Sequence, residues 1–404
     1  MDFTPTQAQL ALGTLTRQIM NDRVGAEQLR QLDRQLVNGG DRFDPRLWDL
    51  LAETGILSAA LPGEAGGDGH GLLEQCSVLI ELGRALAPVP YLPTIAMAGS
   101  VLARFGTAQQ QTDWLKPALA GRSVLAVALG EPAGTNPLTP STRAEPTPTG
   151  WTLTGTKTTV LAGPLAHVIL VSASTPDGPE LFAVTPDDAG VRISRQRMSD
   201  HDDAGWVELD GVELPADRLV GPANSTDTKK STDTRIDGGP VAWVLLRGTV
   251  ALCAHQLGVL ERALELTAEY AGTRTQFDRP IGTFQAVGQR LADAYIQVQA
   301  LRLALWNAAW TLDAGSAKPG PSEDASTEDV PPTEQDVVTA VATAKFWAAE
   351  TGHYVSHTCV HVHGGAGIDV EQPIHRYFLA AKRAEFELGS ATAQLLTLGA
   401  ALAR

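Results

Sequence analysis

The stretch Tyr270-Ala-Gly-Thr-Arg-Thr-Gln-Phe-Asp-Arg-Pro-Ile-Gly-Thr-Phe-Gln285 lies where two long Ala/Leu-rich runs meet, residues 241–270 and 281–312. In both runs apolar residues recur at helical spacing, and each run is long enough for many turns of helix. The pattern therefore predicts two long helices of an up-down bundle, with the quoted stretch at the point where the chain passes from one helix to the next.

Three side chains of this stretch are suited to a nucleotide. A diphosphate needs a fixed cation, and the planar fork of Arg274 can bond two of its oxygens at once. Phe277 offers an apolar face to an adenine or a ribose. Gln285 follows Arg274 by eleven residues, about three helical turns, and its amide can read an adenine. Taken alone, Arg274 can also be an exposed arginine beside a turn that starts a helix.

A second block, His361-Val-His-Gly-Gly-Ala-Gly367, is followed by Pro373-Ile-His-Arg-Tyr-Phe378. Because glycine has no side chain, the backbone N–H groups at Gly364 and Gly365 can approach phosphate oxygens closely. The two histidines of the block also suggest a metal ion. No third ligand stands at a suitable spacing, so we expect no metal site.

Length, charge and cysteine content limit the classes of protein to consider. A chain of 404 residues is long enough for two or three packed domains, and a net charge of −15 argues against a nucleic-acid partner. Cys76, Cys253 and Cys359 are odd in number and far apart, which predicts free thiols in a reducing cytosol. We see no signal peptide and no run of about 18 apolar residues, so we expect a cytoplasmic protein without a membrane span.

The chain changes character twice. Residues 1–122 read as a helical domain, residues 123–235 hold short β-rich runs and a polar linker at 223–235, and residues 236–404 are helical again. Residues 313–336 hold seven acids and four prolines, which predicts a flexible acidic loop between two bundle helices. We therefore expect an α+β protein with an N-terminal helical domain, a middle antiparallel β domain and a C-terminal four-helix bundle.

This order of domains, together with the two blocks, resembles the flavin-containing acyl-CoA dehydrogenases over the whole chain. Further matches are Ala128-Leu-Gly-Glu-Pro132, Leu153-Thr-Gly-Thr-Lys157 and the run from Leu209 to Gly221. The resemblance implies an FAD cofactor, an acyl-CoA substrate and an electron-transferring flavoprotein as the electron acceptor. It also implies that the arginine of the first block and the Gly-Gly of the second hold the FAD diphosphate of a neighbouring subunit.

The same resemblance assigns three more residues to the cofactor. His361 stands where the family usually has Gln, and Ser390 and Thr392 stand where the family has small and polar residues that touch FAD. The predicted cofactor residues are therefore Arg274, Phe277, Gln285, His361, Gly364, Gly365, Ser390 and Thr392.

The flavin-ring side departs from the family. Well-known members have a Thr, a Trp and a Thr in contact with the isoalloxazine, and this chain has Gly130, Thr159 and Leu161 at those positions. The departures argue against an ordinary ring site on this subunit. Instead of binding a flavin ring, the β domain of this chain can have a mainly structural role.

The catalytic base is missing from its family positions. Dehydrogenation removes an α-proton of the thioester while a β-hydride moves to the flavin, so it needs a carboxylate near the α-carbon. The family carries this glutamate at one of two positions, which here are Leu388 and Gly248. Glu385 and Glu387 are nearby candidates, but a helical neighbour points about 100° away from the base position. They can equally be solvated or capping carboxylates.

The run His375–Gly389 resembles, in particular, the actinobacterial acyl-CoA dehydrogenases of steroid side-chain degradation. Those enzymes are often heterotetramers of two homologous chains, one with the catalytic glutamate and one that completes the FAD site. The resemblance favours the base-lacking subunit of such an enzyme. Two alternatives stay open: a homomeric acyl-CoA dehydrogenase with Glu387 as a displaced base, and a scaffold subunit that binds no flavin.

Overall fold

The computed structural model describes residues 4–132, 134, 136–221, 239–316 and 331–403. The predicted linker at 223–235 and the central part of the predicted acidic loop, 317–330, lie outside the described residues. Both remain predictions from composition.

The N-terminal part is helical, and its helices begin and end where the local sequence directs. The Thr6 hydroxyl accepts from Gln9 N at 3.1 Å while the Gln9 side chain accepts from Thr6 N at 2.7 Å, which forms a capping box. The Asp44 carboxylate caps a later helix that has Pro45 at its first position, and Gly55 has the positive φ of a helix end. The helices are α1 (Gln7–Arg23), α2 (Ala26–Val37), α3 (Pro45–Glu53), α4 (Leu72–Ala85), α5 (Ser100–Phe105), α6 (Ala108–Gln110) and α7 (Lys116–Leu119), with π-helical segments at Leu92–Gly99 and Gln111–Leu115.

The middle part is one seven-stranded sheet, with strands β1 (Leu125–Ala128), β2 (Arg143–Thr147), β3 (Gly150–Leu161), β4 (Val168–Thr175), β5 (Gly178–Val184), β6 (Val191–Arg197) and β7 (Asp203–Pro215). The order is β1-β4-β2-β3-β7-β6, and β5 pairs with β4. Most pairs are antiparallel, as predicted. However, β1 runs parallel to β4 and β2 meets β4 in parallel, because the connections between them pass through other strands and are not hairpins. The sequence pattern misses β2, since only Ala144 of this strand is buried.

The C-terminal part contains α8 (Gly239–Thr273), the hairpin strands β8 (Thr275–Gln276) and β9 (Arg279–Pro280), α9 (Gln285–Ser316), α10 (Glu334–His363), α11 (Ile374–Phe386) and α12 (Ala391–Leu402). α10 lies at the centre and contacts α8, α9, α11 and α12. α8 is long and apolar enough to cross a membrane, but 83% of its most apolar window is buried inside the protein, as in a core helix.

The predicted acidic loop is shorter than the sequence pattern suggests. α9 continues to Ser316, so the first four residues of the segment are helical. At the other end Thr333 and Asp336 form a capping box, in which Asp336 Oδ2 accepts from Thr333 N at 2.9 Å. This cap starts α10 inside the acidic segment, because an acidic side chain is favourable in the first turn of a helix.

The two helical parts share one hydrophobic core, which also takes in one face of β1, β4 and β5; the other face of the sheet forms a second core. Within this shared core, α4 crosses α8 at very short range. A Cβ at Gly258 would lie 1.9 Å from the carbonyl oxygen of Ile80, and a Cβ at Gly83 would lie 2.1 Å from that of His255. The two backbones approach so closely that only glycine fits at either position. This crossing fixes the middle of α8, and with it the neighbourhood of Gly248.

Candidate cofactor and active site

The first predicted block forms a two-residue hairpin turn at the end of α8. Phe277 and Asp278 occupy the turn with φ of 53° and 61°. Residues other than glycine rarely adopt this left-handed backbone conformation. The pairing of β8 with β9 holds the turn, and the Phe277 ring touches Phe284 edge-on but is 87% exposed. A strained backbone that presents an aromatic ring to solvent points to a ligand or a partner chain.

The backbone fixes Arg274, but no described residue binds its side chain. Arg274 N donates to Tyr270 O at 2.8 Å, and Ile281 N donates to Arg274 O at 2.8 Å. Within the described part of the chain no carboxylate lies within ion-pair distance of its guanidinium, which is exposed. Gln285 is also exposed, at the first residue of α9. Both side chains are therefore free to bind a group outside this chain.

The second block forms a glycine turn at the end of α10. Gly364 has a φ of 62°, which favours glycine, and Gly367 is needed for packing because a Cβ there would lie 2.6 Å from Val360 O. Gly365 differs from both. Its φ is ordinary, and a Cβ there would meet no described atom within 4 Å. The fold of this chain does not require that glycine, so the open space beside it is available for a phosphate group.

The structure brings the two blocks together. The rings of Tyr270 and His363 stack with centroids 4.3 Å apart and planes 18° apart, which ties the end of α8 to the end of α10. On α9, Arg290 contacts the His361 ring. An exposed guanidinium, an amide, an aromatic face and an open glycine turn thus lie around one end of the bundle. This donor set fits the diphosphate and adenosine of FAD.

Ser390 and Thr392 lie apart from this cluster, at the start of α12. The Ser390 side chain does not cap that helix, and Thr392 is exposed. No hydrogen bond or ring contact in the described part of the chain joins either residue to Arg274. Gly389, with φ 103°, precedes them, and a Cβ there would lie 2.6 Å from the Gln394 amide nitrogen. If one cofactor contacts both the Arg274 cluster and the start of α12, either it spans the gap between them or the two regions come from different chains.

The two family base positions hold no carboxylate, and both lie against apolar side chains. Leu388 adopts a φ of 53° and packs against the helical core. A Cβ at Gly248 would lie 2.9 Å from the terminal carbon of Met97, which fills the space in front of α8. The neighbouring Arg247 is buried, and its Nε donates to Ser100 Oγ at 3.1 Å. Neither position can take up a proton with the side chain that it carries.

Glu387 is bound to an arginine. Its Oε2 accepts from Arg383 Nη1 at 2.7 Å, and Arg383 also pairs with Asp200 and, at 3.6 Å, with Asp202. Burial raises the pKa of Glu387, while the positive charge of Arg383 acts in the opposite direction. The carboxylate thus belongs to an ion network that joins α11 to the loop between β6 and β7.

Glu385 is also engaged. It pairs with Lys382 and lies 3.4 Å from His353 Nδ1. Beneath it, the buried Lys345 donates to the carbonyl oxygens of Ala384 at 3.0 Å and Glu385 at 3.2 Å, so it satisfies the last turn of α11. Both candidate carboxylates thus have structural partners in the described part of the chain.

The cavity on the flavin-ring side is small. Leu161, His255, Asp200 and Arg383 are among the residues that line it, and its volume is about 70 Å³. Small-molecule pockets usually have about 300–1,000 Å³. Burial lowers the pKa of His255 to about 4, and its Nδ1 has no described hydrogen-bond partner. Arg383 and its partner Asp200 thus lie at the wall of this cavity.

The other ring-side positions form part of the sheet. Gly130 O accepts from Thr158 N at 3.0 Å, and Thr159 N donates to the Gln196 side chain at 2.8 Å. Next to them, the carboxylate of Glu131 accepts from Lys157 Nζ at 2.8 Å in a pair that is almost fully buried. These contacts hold strands together, which agrees with a mainly structural β domain.

Sequence reasoning missed two arginines of the site region. Arg383 had a visible signal, because Glu387 follows it by four residues and faces the same side of α11. The signal for Arg290 was weaker. Its position shortly after Gln285, on the same predicted helix, was the one hint that it lies near the glycine turn. In both cases the partner that gives the arginine its role lies far away along the chain.

Known proteins resemble this chain along nearly its full length. Residues 6–122 match the acyl-CoA dehydrogenase N-terminal domain, and residues 241–403 match the acyl-CoA dehydrogenase C-terminal domain. Acyl-CoA dehydrogenase FadE27 of Mycobacterium tuberculosis is 46% identical over 403 residues, which cover 100% of this chain and 99% of the relative.

Two solved structures share the fold and a substantial part of the sequence. A chain of the ChsE4-ChsE5 complex from Mycobacterium tuberculosis has a TM-score of 0.86 and 44% identity, and the match covers 100% of this chain and 99% of that one. A chain of a Tcur3481-Tcur3483 steroid ACAD variant has a TM-score of 0.82 and 39% identity, with 98% and 97% covered.

Proposed function

The chain belongs to the acyl-CoA dehydrogenase family, a family of FAD-dependent oxidoreductases, and from this we propose that it is the base-lacking subunit of a hetero-oligomeric enzyme. In this proposal the enzyme dehydrogenates the CoA thioester of a steroid side chain. A homologous partner chain supplies the catalytic glutamate, and electrons pass to an electron-transferring flavoprotein.

One observation carries the proposal: the predicted cofactor residues are exposed, while the two base positions carry no carboxylate and lie against apolar side chains. Arg274 and Phe277 are exposed, and Gly365 borders open space. In contrast, Met97 fills the space in front of Gly248, and Leu388 packs against the core. A homomeric enzyme would need both the cofactor residues and a base on every copy, whereas a subunit that only completes its partner's site needs the cofactor residues alone.

The residues of this chain then have defined tasks at the partner's cofactor. FAD, when bound, accepts the hydride that leaves the β-carbon of the thioester. The Arg274 fork binds the diphosphate, and the backbone N–H groups of the turn at Gly364 and Gly365 neutralise its remaining charge. Phe277 covers the adenosine and keeps water away from it. None of these residues takes the α-proton, so that step falls to the partner.

The steroid substrate rests on the relatives. A steroid ACAD variant and the ChsE4-ChsE5 complex are among the structures that this chain resembles at 39% and 44% identity. Both names refer to assemblies of two chains, which supports a hetero-oligomer here as well.

The visible spectrum of the purified protein tests the proposal. The chain is purified alone, and again after co-expression with a homologue that has a glutamate at one of the two base positions. We expect a colourless chain alone and a yellow complex that bleaches with a steroid side-chain acyl-CoA. A yellow chain that bleaches by itself would instead support the homomeric enzyme with Glu387 as the base. A complex that never acquires flavin would support the scaffold.

A further inference from the structure

Residues 26–44, which comprise α2 and the loop that follows it, are only weakly anchored by apolar contacts; we call them the α2 segment. Leu29, Leu32 and Leu36 share one face of α2 and are buried. Of these three, Leu29 belongs to the shared core of the helical parts, whereas Leu32 and Leu36 belong to neither core. Apolar packing therefore holds α2 less firmly than it holds α4 or α8, which contribute many residues to that core.

Ion pairs tie the α2 segment to two other parts of the protein. At its tip, Arg195 of β6 pairs with Asp41 and donates to Gly40 O at 2.5 Å. Along the helix, Asp33 pairs with Arg376 of α11. The side chains of the first pair are 44% and 32% exposed, whereas those of the second pair are largely buried. Salt can therefore screen the charges that hold the tip, and it reaches the charges along the helix much less.

Both ends of the α2 segment are suited to act as hinges. Gly25 precedes α2 without a capping side chain, and a Cβ there would meet no described atom within 4 Å. At the other end Asp44 is fixed, because its N–H donates to Pro88 O at 3.0 Å and its carboxylate caps α3. Gln28 donates to the same carboxylate, close to this hinge. Between α2 and Asp44, Gly39 adopts a φ of 86°, which favours glycine. Movement of the segment can thus be confined to the residues between Gly25 and Asp44.

The loop of the α2 segment forms part of the wall of the small cavity on the flavin-ring side. Arg42 and Phe43 line this cavity, together with His255 of α8. Arg42 Nε lies 3.4 Å from Asp33 Oδ1, so the carboxylate that binds Arg376 also holds this part of the wall. His255 Nδ1 has no described hydrogen-bond partner, and the cavity has room for water to reach it. Displacement of the loop would therefore expose His255 to solvent.

We propose that the α2 segment is a hinged flap that controls the access of water and small solutes to this cavity. The partly exposed pair of Asp41 with Arg195 breaks first and frees the tip. Release of Asp33 from its two arginines then frees the helix. A segment with few buried apolar contacts is a part of a protein that opens locally while the rest stays folded. The flap does not depend on the base-lacking role of the chain, so the two proposals can fail independently.

Covalent labelling of His255 in the full-length chain, followed by mass spectrometry, tests the proposal. Diethylpyrocarbonate modifies neutral imidazole, and burial lowers the pKa of His255 to about 4, so near neutral pH the labelling rate reports access to the ring. We expect Asp41→Asn to raise the rate about two- to fivefold, the factor that an exposed ion pair implies. Asp33→Asn should raise it at least about tenfold, because it removes a largely buried partner of two arginines. Sodium chloride at about 1 M should raise the rate in the wild type and add little in Asp41→Asn.

The matched control is Glu208→Gln. It also removes a carboxylate that pairs with an arginine of β6, Arg192, but both partners lie within the sheet, so His255 should react as in the wild type. The exposed His70 should react at one rate in all variants and serves as the internal standard. Hydrogen exchange of the same variants should rise in residues 26–44 and stay unchanged in α4 and α8. Equal labelling of His255 in all variants, or a rise in exchange of α4 and α8 together with the α2 segment, would overturn the proposal.

Discussion

Arg274 is the residue for which a single substitution is most informative. Its backbone is held by two hydrogen bonds, and its side chain is exposed, so Arg274→Ala should leave the fold unchanged. In the assembled enzyme we expect weaker flavin retention by about 1.5–3 kcal/mol, the contribution of a hydrogen bond to a charged group. Release of FAD during dialysis, followed by absorbance, measures it.

The matched comparisons for Arg274 are a conservative change and a distant one. Arg274→Lys should restore only part of the retention, because lysine is a point charge and not a fork. Arg23→Ala, at the exposed end of α1, should retain flavin as the wild type does. Unchanged flavin occupancy in Arg274→Ala would remove this arginine from the site.

Glu387 and Glu385 are the residues that decide between the base-lacking subunit and a homomeric enzyme. Both carboxylates have structural partners, Arg383 and Lys382, so neither is free to abstract a proton in this conformation. We expect Glu387→Gln and Glu385→Gln to keep turnover of the assembled enzyme within a few-fold. Loss of a true general base typically costs about 10²–10⁴-fold.

Steady-state turnover, with flavin content measured on the same sample, checks this prediction. Glu350→Gln, at an exposed position of α10, serves as the control. A thousand-fold loss in Glu387→Gln with flavin still bound would identify Glu387 as a displaced base and contradict the proposed role of the chain.

At the scale of elements, the crossing of α4 and α8 depends on two glycines. Gly258→Ala should destabilise the protein strongly, by several kcal/mol, since the new Cβ would collide with the Ile80 carbonyl and force two core helices apart. Gly272→Ala lies on the same helix with open space around it, so it should be neutral or stabilise by up to about 1 kcal/mol. Equal melting temperatures for the two variants would refute the close crossing.

The sheet depends on a buried ion pair between its strands. Glu131 accepts from Lys157, from Thr142 N and Oγ1, and from Ser141 N. Burial alone would raise the pKa of Glu131, but these hydrogen bonds hold it well below its usual range. Glu131→Gln should destabilise by about 3–5 kcal/mol, because it leaves the buried Lys157 charge unpaired. Adding Lys157→Met should recover part of that loss.

The same pair gives a pH dependence with a defined sign. A carboxylate with a lowered folded-state pKa stabilises fully above its unfolded pKa, about 4.3, and loses that contribution as the pH falls toward the folded value. The stability difference between wild type and Glu131→Gln should therefore be constant near neutral pH and shrink below about pH 4. Chemical denaturation at several pH values measures it, and a difference that stays constant down to pH 2.5 would contradict the pair.

At the scale of the whole molecule, α9 carries an exposed apolar stripe. Ile296, Leu303 and Trp310 repeat every seven residues and are 63%, 55% and 42% exposed. Such spacing on a helix is typical of a seam against another helix. We expect the chain to run as a dimer or tetramer on a sizing column at micromolar concentration, and Leu303→Glu to shift it toward smaller species.

The control for the stripe is Leu10→Glu, because Leu10 is 57% exposed but lies on α1, away from the stripe. It should leave the oligomeric state unchanged. A wild-type chain that stays monomeric at micromolar concentration would show that the stripe is not an interface of this chain with itself, and co-purification with a homologue would then be the remaining test.

The sequence by itself determined the fold class, and it carries the two predicted cofactor blocks and the residues Leu388 and Gly248 at the predicted base positions. These features are local: helical periodicity, the Arg274 stretch, the glycine turn and the identities of Leu388 and Gly248 are all readable from neighbouring residues.

Only the tertiary structure decided how those features are used. It brought Met97 against Gly248, Asp200 against Arg383, and Arg290 against His361, pairs that are far apart in sequence. It also packed the two helical parts around one shared core. The close crossing of α4 and α8 there depends on Gly83 and Gly258, which the helical sequence pattern does not single out. The physical reason is that periodicity fixes which face of an element is buried, whereas the partner on that face depends on the packing of the whole chain.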